Sequence, residues 1–367
     1  MTSSHQVYSD RTSKICDIGD AHGVAILSKA AGLDVEYVPF RHAPLLDNEI
    51  RIRVTDSGLC QSDAFMMKNA WGISAFPLVA GHEILGIVTH IGEKVTKFQV
   101  GDRVGQEPLK DSCEHCHDCM LGFTNVCSQN RFTIGQEFGG FATSFQSRAN
   151  NFTKIPDIIP GSAAPLMCAG TTVYSPLSRD LSPGMKVGII GVGGLGHLGI
   201  MYANKMGCEV TAISTSLDKE AEAKSFGAHH FLVSKDLEAV KNAERTLDYI
   251  LDTATVYSLD MSTTLLKPRG VVNIVGAPDD PKHHSFNAFS AVSKNLTIKG
   301  SAAGSRLETE KMIEFSARHS VYPKSEVYKF SDFNLALDSL ARGIPRAPRY
   351  RAVLETASFF ENFTPSN

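Results

Sequence analysis

The stretch "KVGIIGVGGLGHLGI", residues 186–200, decides the fold of this chain. Its apolar first part predicts a buried strand that ends at Ile190. The residues Gly191, Gly193 and Gly196 follow with the spacing Gly-x-Gly-x-x-Gly and open a helix. Bare backbone amides at a helix N-terminus can receive a pyrophosphate, so this strand, turn and helix predict a dinucleotide-binding site.

The chain after residue 200 continues to alternate between strands and helices. Five more strand-like segments occur, "EVTAIS" at 209–214, "HHFLV" at 229–233, "LDYILDT" at 247–253, "GVVNIVGA" at 270–277 and "NLTIKGS" at 295–301. Six strands alternating with polar or amphipathic helices favour a doubly wound parallel sheet of the α/β class. An α/β domain with a glycine-rich turn and no cofactor is the alternative that the pattern alone leaves open.

The end of the second of these strands indicates which coenzyme binds. An NAD-binding chain usually has Asp or Glu there, to accept the ribose 2′-hydroxyl. This chain has Ser214, Thr215 and Ser216, whose small side chains leave room for a 2′-phosphate. Lys219 follows and can neutralise that phosphate. Asp218 could repel it, but the spacing of Asp218 from Thr215 is that of a helix capping box. We therefore expect NADP(H) rather than NAD(H).

Length and composition limit the remaining possibilities. A chain of 367 residues, 43% of them hydrophobic, exceeds what one core normally holds, so we expect two domains. Its formal net charge of -3 offers no field that would gather nucleic acid or anionic membrane, which leaves small molecules as the expected partners. The N-terminal segment lacks the apolar centre of a signal peptide, and we expect no membrane segment and a cytoplasmic location.

A second concentration of chemistry lies in "DSCEHCHDCMLGFTNVC", residues 111–127. The cysteines of this loop are Cys113, Cys116, Cys119 and Cys127. Their spacing lets one loop direct four thiolates at a common centre, which is typical of structural zinc. The first three spacings also suit an iron–sulfur cluster, although the usual Cys-Pro ending is missing. With four thiolates available, His115 and His117 are expected to face solvent.

Three further residues of metal-binding type, Cys60, His82 and Cys168, lie far apart in sequence, so spacing alone cannot unite them. Two thiolates and one imidazole would leave a fourth zinc position open for water or substrate, which is what a catalytic zinc requires. Taken from the residues alone, core packing is the more frequent role of each.

Six stretches occur in one order along the chain and carry a family resemblance. They are "GLCQSD" at 58–63, "KNAWGISAFPLVAGHEILGIVTHIGEKVTKFQVGDRVG" at 68–105, the four-cysteine loop, "GGFA" at 139–142, "AAPLMCAGTTVYSPL" at 163–177 and "GVGGLGHLGI" at 191–200. Together they resemble the zinc-dependent medium-chain alcohol dehydrogenases, and most closely the cinnamyl-alcohol dehydrogenase group. The resemblance extends from about residue 22 to the closing "PRYRAVLE", and so covers nearly the whole chain.

This resemblance implies an α/β protein with two domains. A GroES-like, mainly-β catalytic domain is expected at residues 1–176 and 307–367. A six-stranded Rossmann cofactor domain is expected at residues 177–306. Because the last strand of the cofactor domain pairs across a twofold axis in this family, a homodimer is expected.

The resemblance also implies roles for individual residues. Cys60, His82 and Cys168 match the ligands of a catalytic zinc ion, so two zinc ions per chain are expected, one catalytic and one structural. Glu83 matches a carboxylate that can enter the coordination sphere, and a buried ion pair with an arginine is the alternative role. Asp63 matches a residue that hydrogen-bonds the ligand histidine, and it could also cap a helix. The positions that match coenzyme-contacting residues are Thr172, Gly191, Gly193, Gly194, Leu195, Gly196, Ser214, Thr215, Ser216, Lys219, Gly276, Ser301, Ala302 and Ala303.

The implied enzyme is an NADP(H)-dependent oxidoreductase that transfers a hydride between the nicotinamide and a zinc-bound alcohol or aldehyde. Ser62 matches the hydroxyl that starts a proton relay in the family. This chain has Phe65 where a histidine often continues the relay, and Gln61 where many members also have histidine. The altered relay keeps open a reductase of an iminium or conjugated double bond. A catalytically silent binding homologue is the third interpretation, and the complete ligand set argues against it.

Overall fold

The computed structural model of the chain describes residues 14–16, 19–135, 138–254, 259–277 and 287–356. The chain forms two compact units. The first comprises Met1–Cys168, Ser305–Ile313 and Lys324–Asn367, and the second comprises Ala169–Gly304 and Glu314–Pro323. The units divide the chain near the expected domain limits at 176/177 and 306/307, and those limits stay a prediction.

Strands and helices are numbered in chain order. The strands are β1 Lys14–Ile15, β2 Ala21–Ile26, β3 Glu36–Arg41, β4 Glu49–Leu59, β5 Leu78–Val79, β6 Glu83–Ile91, β7 Arg103–Gln106, β8 Leu109–Asp111, β9 Arg131–Phe132, β10 Ser144–Arg148, β11 Phe152–Lys154, β12 Lys186–Ile190, β13 Glu209–Ser214, β14 His230–Val233, β15 Leu247–Asp252, β16 Leu266–Ile274, β17 Thr297–Gly300, β18 Ser325–Lys329 and β19 Arg351–Glu355. The α-helices are α1 Gln61–Met67, α2 His117–Met120, α3 Ala169–Asp180, α4 Gly196–Lys205, α5 Glu220–Ser225, α6 Leu237–Asn242, α7 Leu259–Leu265, α8 Ala288–Lys294, α9 Arg306–His319 and α10 Phe333–Arg342. Short 3-10 turns are Lys29–Ala31, Thr124–Val126, Ala149–Asn151, Gly161–Met167, Leu217–Lys219 and Phe330–Asp332.

The first unit is built on a mixed sheet with the strand order β11-β7-β6-β4-β19-β18, in which β10 also pairs with β4. Apolar and charged residues alternate along β4, so Ile50, Ile52 and Val54 point to one face, where they are fully buried. Phe145 and Phe152 from neighbouring strands pack in the same apolar cluster. Burial of this face fixes the register of β4 against its neighbours, because a shift by one residue would expose every apolar side chain.

Two smaller sheets complete the first unit, with the orders β1-β3-β2-β5 and β8-β9. A second apolar cluster lies beside them and includes Phe40, Phe141 and Phe333. The rings of Phe141 and Phe333 meet edge to face, with centroids 5.1 Å apart. This contact anchors α10, which begins at Phe333, against the strand-rich part of the unit.

The second unit contains a parallel sheet whose order, among the described strands, is β14-β13-β12-β15-β16-β17. In order of sequence this is 3-2-1-4-5-6, the arrangement of a doubly wound dinucleotide-binding domain. Val187 and Ile189 of the central strand β12 are completely buried, as expected of a parallel strand covered on both faces. The predicted six-stranded α/β sheet is thereby confirmed. Strand order reverses between β12 and β15, and ligands of such sheets bind beyond the carboxyl ends at that point.

Within the described ranges, none of the helices combines the length and the apolar character that crossing a bilayer requires.

Candidate metal and coenzyme sites

Antiparallel pairing of β4 with β6 brings two of the predicted ligands together. The register places Gly58 opposite Glu83. Cys60 follows β4 and His82 precedes β6, so both lie at the same end of the sheet. Cys168 reaches them from the end of a 3-10 turn that packs on both strands. Strand register therefore brings Cys60 and His82 together, and packing of the 3-10 turn adds Cys168 from more than eighty positions further along the chain.

The predicted catalytic ligands form one group. Cys60, His82, Glu83 and Cys168 each offer one ligand atom, and these four atoms all lie within 4.8 Å of one another. The first three residues are buried, whereas Cys168 is partly exposed. Two sulfurs, an imidazole nitrogen and a carboxylate oxygen are a donor set that suits zinc.

Asp63 fixes the ring of His82. It lies in the first turn of α1 and is completely buried. Its Oδ1 accepts hydrogen bonds from Nδ1 of His82 at 2.8 Å and from the Gly81 amide at 3.0 Å. Its Oδ2 accepts from the Cys60 amide at 2.9 Å and so caps α1. The two roles that the sequence allowed for Asp63 are both present, and Nε2 of His82 is the nitrogen left for a metal ion.

Glu83 pairs with a buried arginine from the other end of the chain. Its Oε1 accepts a hydrogen bond from Nη2 of Arg351. Its Oε2 is buried and has no hydrogen-bond partner. Burial raises the pKa of Glu83 to about 7, against the opposing effect of the Arg351 charge. A carboxylate oxygen of Glu83 lies within 4.8 Å of the two sulfurs and the imidazole nitrogen, and a buried carboxylate with one unpartnered oxygen fits a group of ligands that a cation completes.

A hydrogen bond between the two thiols of this group shifts their pKa values in opposite directions. The hydrogen bond from Cys168 lowers the pKa of Cys60 well below its usual value, and the charge of Arg351 adds to this effect. The same hydrogen bond raises the pKa of Cys168. Burial alone would lower the pKa of His82, but Asp63 offsets this and the net pKa lies well above its usual value. The surroundings therefore already favour negative charge on one sulfur, which metal ligation requires.

The half-buried face of α1 carries the predicted relay hydroxyl. Gln61, Ser62 and Phe65 lie on this face, between positions that are buried in the core. The Sγ of Cys60 lies 3.7 Å from Oγ of Ser62. The ring of Phe65 meets Trp71 edge to face, with centroids 5.7 Å apart. Because a phenyl ring cannot accept a proton, the predicted relay cannot continue from Ser62 through residue 65.

The four-cysteine loop forms a second group of possible metal ligands. The sulfurs of Cys113, Cys116, Cys119 and Cys127 all lie within 4.8 Å of one another. The exposed side chains of His115 and His117 stand outside this group, in agreement with the sequence.

Backbone amides around the loop point at its sulfurs. The Cys116 amide donates to Sγ of Cys113 at 3.3 Å, and the Gln129 amide donates to Sγ of Cys127 at 3.3 Å. The pKa of Cys113 is lowered to about 6, chiefly by a backbone hydrogen bond from His115. Amide donors favour the thiolate form, so the loop fits a metal ion held by four sulfurs.

Ion pairs that the sequence did not predict join this loop to β10 and to α9. Arg148 at the end of β10 lies 3.0 Å from Asp111 and 3.6 Å from Glu114. Nη1 of Arg306, the first residue of α9, lies 3.1 Å from Oε1 of Glu114, whereas Arg148 approaches Oε2. Arg306 and Glu114 are 192 positions apart, and no spacing rule joins residues at that separation.

The glycines that follow β12 have different structural roles. A Cβ on Gly196 would collide with the Gly191 carbonyl, so α4 can approach the turn only where it has no side chain. Gly191 has a φ of 87°, a conformation that favours glycine. By contrast, a Cβ on Gly193 would meet no atom within 4 Å. Gly193, Gly194 and Leu195 are only half-buried, so a pyrophosphate can approach the backbone of this turn, and the turn fits a dinucleotide.

The residues predicted to select the coenzyme lie at the end of β13. Ser214 is buried, whereas Thr215 and Ser216 are exposed. Ser216 precedes the 3-10 turn there, one residue later than the predicted cap at Thr215. The physical reason is that Ser216 keeps extended backbone angles, φ -150° and ψ 161°, so the turn begins after it, and its hydroxyl donates to the carboxylate of Asp218.

The other predicted coenzyme residues follow the same edge of the parallel sheet. Lys219 follows β13, and its ammonium donates to the Val192 carbonyl at 2.9 Å. Gly276 follows β16, and 301–303 follows β17. Thr172 lies on α3 and is buried. All of these positions except Thr172 lie at the carboxyl edge of the sheet, where doubly wound domains bind their ligands.

Comparisons with known proteins identify the family of this chain. An alcohol dehydrogenase GroES-like domain matches residues 46–157, and a zinc-binding dehydrogenase domain matches residues 194–318. Cinnamyl alcohol dehydrogenase 8 of Arabidopsis thaliana is 38% identical over 324 residues, which cover 85% of this chain and 89% of that protein. An aldehyde reductase of Synechocystis sp. is 38% identical over 323 residues, covering 86% and 94%. The crystal structure of CAD from Helicobacter pylori complexed with NADP(H) has a TM-score of 0.82 and 29% identity, and the match covers 94% of this chain and 98% of that one.

Proposed function

Because the chain belongs to the zinc-dependent medium-chain alcohol dehydrogenases, among relatives of the cinnamyl alcohol dehydrogenases, we propose that it interconverts aldehydes and alcohols with NADP(H). Its class is that of alcohol dehydrogenases and aldehyde reductases, oxidoreductases that act on CH–OH groups. The observation that carries the proposal is the buried group of two thiols, one imidazole and one carboxylate whose ligand atoms lie within 4.8 Å of one another.

Three residues of this group, Cys60, His82 and Cys168, are proposed as the ligands of a catalytic zinc ion. Glu83 is proposed as an alternate ligand, and its buried, unpartnered Oε2 supports that role. Three protein ligands leave the fourth position of a tetrahedral site available to substrate. When bound, zinc supplies Lewis-acid polarisation of a carbonyl oxygen, and NADPH supplies the hydride.

Neighbouring residues of the chain prepare the site for this chemistry. Asp63 accepts the Nδ1 hydrogen of His82, which fixes the ring orientation and makes Nε2 more basic. Arg351 pairs with Glu83 and offsets the negative charge that two thiolates bring into a buried place.

The proton balance gives Ser62 its proposed role. Reduction of an aldehyde consumes one hydride and one proton, and oxidation of the alcohol releases both. Ser62 is the hydroxyl proposed to pass that proton on, and its 3.7 Å separation from Sγ of Cys60 supports this. Since Phe65 cannot accept the proton, the proton passes from Ser62 to water or to the ribose of the coenzyme.

NADP(H) is proposed as the coenzyme in preference to NAD(H). Ser214 ends β13 where an NAD-binding chain would usually have a carboxylate. The exposed Thr215 and Ser216 leave room for a 2′-phosphate, and Lys219 supplies a positive charge nearby. The NADP(H) complex of the similar Helicobacter pylori protein adds support.

Three further features complete the proposal. A second zinc ion, with a structural role, is proposed at the four-cysteine loop on the strength of its mutual sulfur distances and amide donors. A homodimer is proposed because β17 is the edge strand of the parallel sheet, where a second copy can continue the sheet. A cytoplasmic location is proposed because the eight cysteines, all of them among the described residues, form no disulfide, which suits a reducing compartment.

The test compares Cys60→Ala with Cys16→Ala, a control at a thiol outside both cysteine groups. The unmodified protein should oxidise NADPH in the presence of aliphatic, aromatic or sugar-derived aldehydes and should contain two zinc ions per chain. Cys60→Ala should lose turnover together with one zinc ion, whereas Cys16→Ala should keep both. Turnover that survives loss of the zinc would indicate a reductase of an iminium or conjugated double bond. No NADPH oxidation with any carbonyl would indicate a silent binding homologue.

A further inference from the structure

The glycine turn after β12 is held on its carbonyl side by a threonine from the next strand. Thr253 directly follows β15, which pairs in parallel with β12. Its Oγ1 hydroxyl carries a single hydrogen, which it shares between the carbonyl oxygens of Ile190, at 2.8 Å, and Gly191, at 3.0 Å. A Cβ on Gly191 would lie only 3.0 Å from the same oxygen atom. Thr253 therefore packs directly on the turn. Because its backbone amide also donates to the Ile190 carbonyl at 3.0 Å, the contribution of the hydroxyl itself is chiefly to the Gly191 carbonyl.

Two more side chains take the next two carbonyl oxygens. Nζ of Lys219 donates to Val192 at 2.9 Å. Nδ1 of His197 lies 2.9 Å from the oxygen of Gly193, and since a carbonyl can only accept, the ring donates through Nδ1. The ring of His197 is completely buried, so this tie is shielded from water. Four successive carbonyls, from Ile190 to Gly193, are thus held by side chains.

Fixing the carbonyls of a turn also fixes its amides. Each peptide unit is planar, so the direction of a carbonyl determines that of the N–H group joined to it. Amides at such a turn are the groups that receive a diphosphate, and a Cβ on Gly193 would meet no atom within 4 Å. The Gly191 amide donates to the Ile213 carbonyl at 2.9 Å, so the amide that Thr253 orients for a ligand is that of Val192, which is joined to the Gly191 carbonyl. A turn that is already fixed loses less conformational freedom when a ligand binds.

We propose that Thr253 is a positioning residue for the coenzyme, because its hydroxyl holds the carbonyl side of the glycine turn and keeps the amide side ready for the coenzyme diphosphate. His197 contributes to the same arrangement by donating to the carbonyl of Gly193, two residues after Gly191. This inference rests on the proposed use of NADP(H). Lys219 is left out of the test, since it is also proposed to meet the 2′-phosphate.

The test measures coenzyme binding by titration calorimetry with two probes, NADPH and adenosine 2′-monophosphate. The second probe has the adenine and the 2′-phosphate but lacks the diphosphate. Thr253→Val removes the hydroxyl at nearly unchanged volume, so the dissociation constant should rise about tenfold for NADPH and stay within about twofold for adenosine 2′-monophosphate. Thr253→Ser keeps the hydroxyl and should restore most of the NADPH affinity.

Thr264→Val is the matched control, because the Thr264 hydroxyl also donates to a backbone carbonyl, that of Asp260 at 2.8 Å, but within α7. It should leave both dissociation constants unchanged. Unaltered NADPH binding in Thr253→Val, or equal weakening of both probes, would overturn the inference. If circular dichroism shows that the valine variant does not fold, Thr253→Ala is scored in the same way.

The outcome for the unmodified protein separates this inference from the coenzyme proposal. Preferential binding of NADH would sink the proposed NADP(H) use alone, and Thr253 is then scored with NADH and adenosine as the probes. Binding of neither dinucleotide would overturn both proposals. Tight NADPH binding that is indifferent to Thr253→Val overturns only the role of the threonine.

Discussion

Replacing Asp63 with asparagine removes one charge from the metal site at almost no change in volume. The carboxylate of Asp63 accepts hydrogen bonds from the Cys60 amide at 2.9 Å, the Gly81 amide at 3.0 Å and Nδ1 of His82 at 2.8 Å. Asparagine has a single acceptor oxygen. If that oxygen keeps Gly81 and His82, the amide nitrogen of the new side chain faces the N–H of Cys60, and two donors oppose each other.

The size of the effect follows from these contacts. A buried donor left without an acceptor costs about 1–3 kcal/mol, and two hydrogen bonds that lose a charged acceptor weaken by about 1 kcal/mol each. The free energy of unfolding should therefore fall by about 3–5 kcal/mol. Loss of the carboxylate behind the ligand imidazole should weaken zinc binding at this site about 10–100-fold.

Zinc competition against a chromophoric chelator measures the affinity, and urea unfolding with excess chelator measures the stability separately. Asp338→Asn is the control, since Asp338 is 40% exposed and pairs with Arg342 on the surface of α10. Its unfolding free energy should change by less than about 1 kcal/mol. Unchanged zinc affinity in Asp63→Asn would refute the argument that Asp63 orients the ring of His82.

Three other predictions test different parts of the chain. Burial raises the pKa of Glu107 from 4.5 to about 7, so the folded protein binds a proton that the unfolded chain has released. Glu107 should therefore lower the stability as the pH rises from about 4.5 to about 7, by at most about 1.4 kcal/mol per pH unit, and Glu107→Gln should remove this contribution from the pH dependence measured by urea unfolding. The pair Ser216→Asp and Lys219→Ala should reverse the preference for NADPH over NADH, and an unchanged ratio of kcat/KM values would contradict the coenzyme assignment. Cys116→Ser should release the structural zinc and lower the Tm, while His117→Ala, at a side chain that is 82% exposed, should do neither; full Tm after loss of that zinc would count against a structural role.

Local patterns in the sequence were enough to predict the parallel sheet of the second unit. The buried run that ends at Ile190 and the glycines after it specify a strand, a turn and a helix within fifteen residues, and later strands repeat the alternation. The four-cysteine loop is equally local, since its sulfurs converge within one segment of seventeen residues. Such features depend on neighbours in sequence, and a single chain displays them directly.

Other contacts depend on strand register and could not be derived from spacing. Cys60 and His82 meet because β4 pairs with β6, and only the family resemblance predicted that meeting. Glu83 and Arg351 lie 268 positions apart, so the sequence predicted an arginine partner without identifying it. Thr253 was missed altogether, because a threonine after a strand gives no sign that it lies against a turn sixty residues earlier.

The packing of Trp71 against Phe65 has a practical consequence. Trp71 is the sole tryptophan of the chain, and its ring lies beside the segment that begins at Cys60. Fluorescence excited at the red edge of indole absorption therefore originates from one known location. Each molecule carries its own optical reporter, and quenching or a spectral shift can be assigned to events at the end of α1 without attaching a dye.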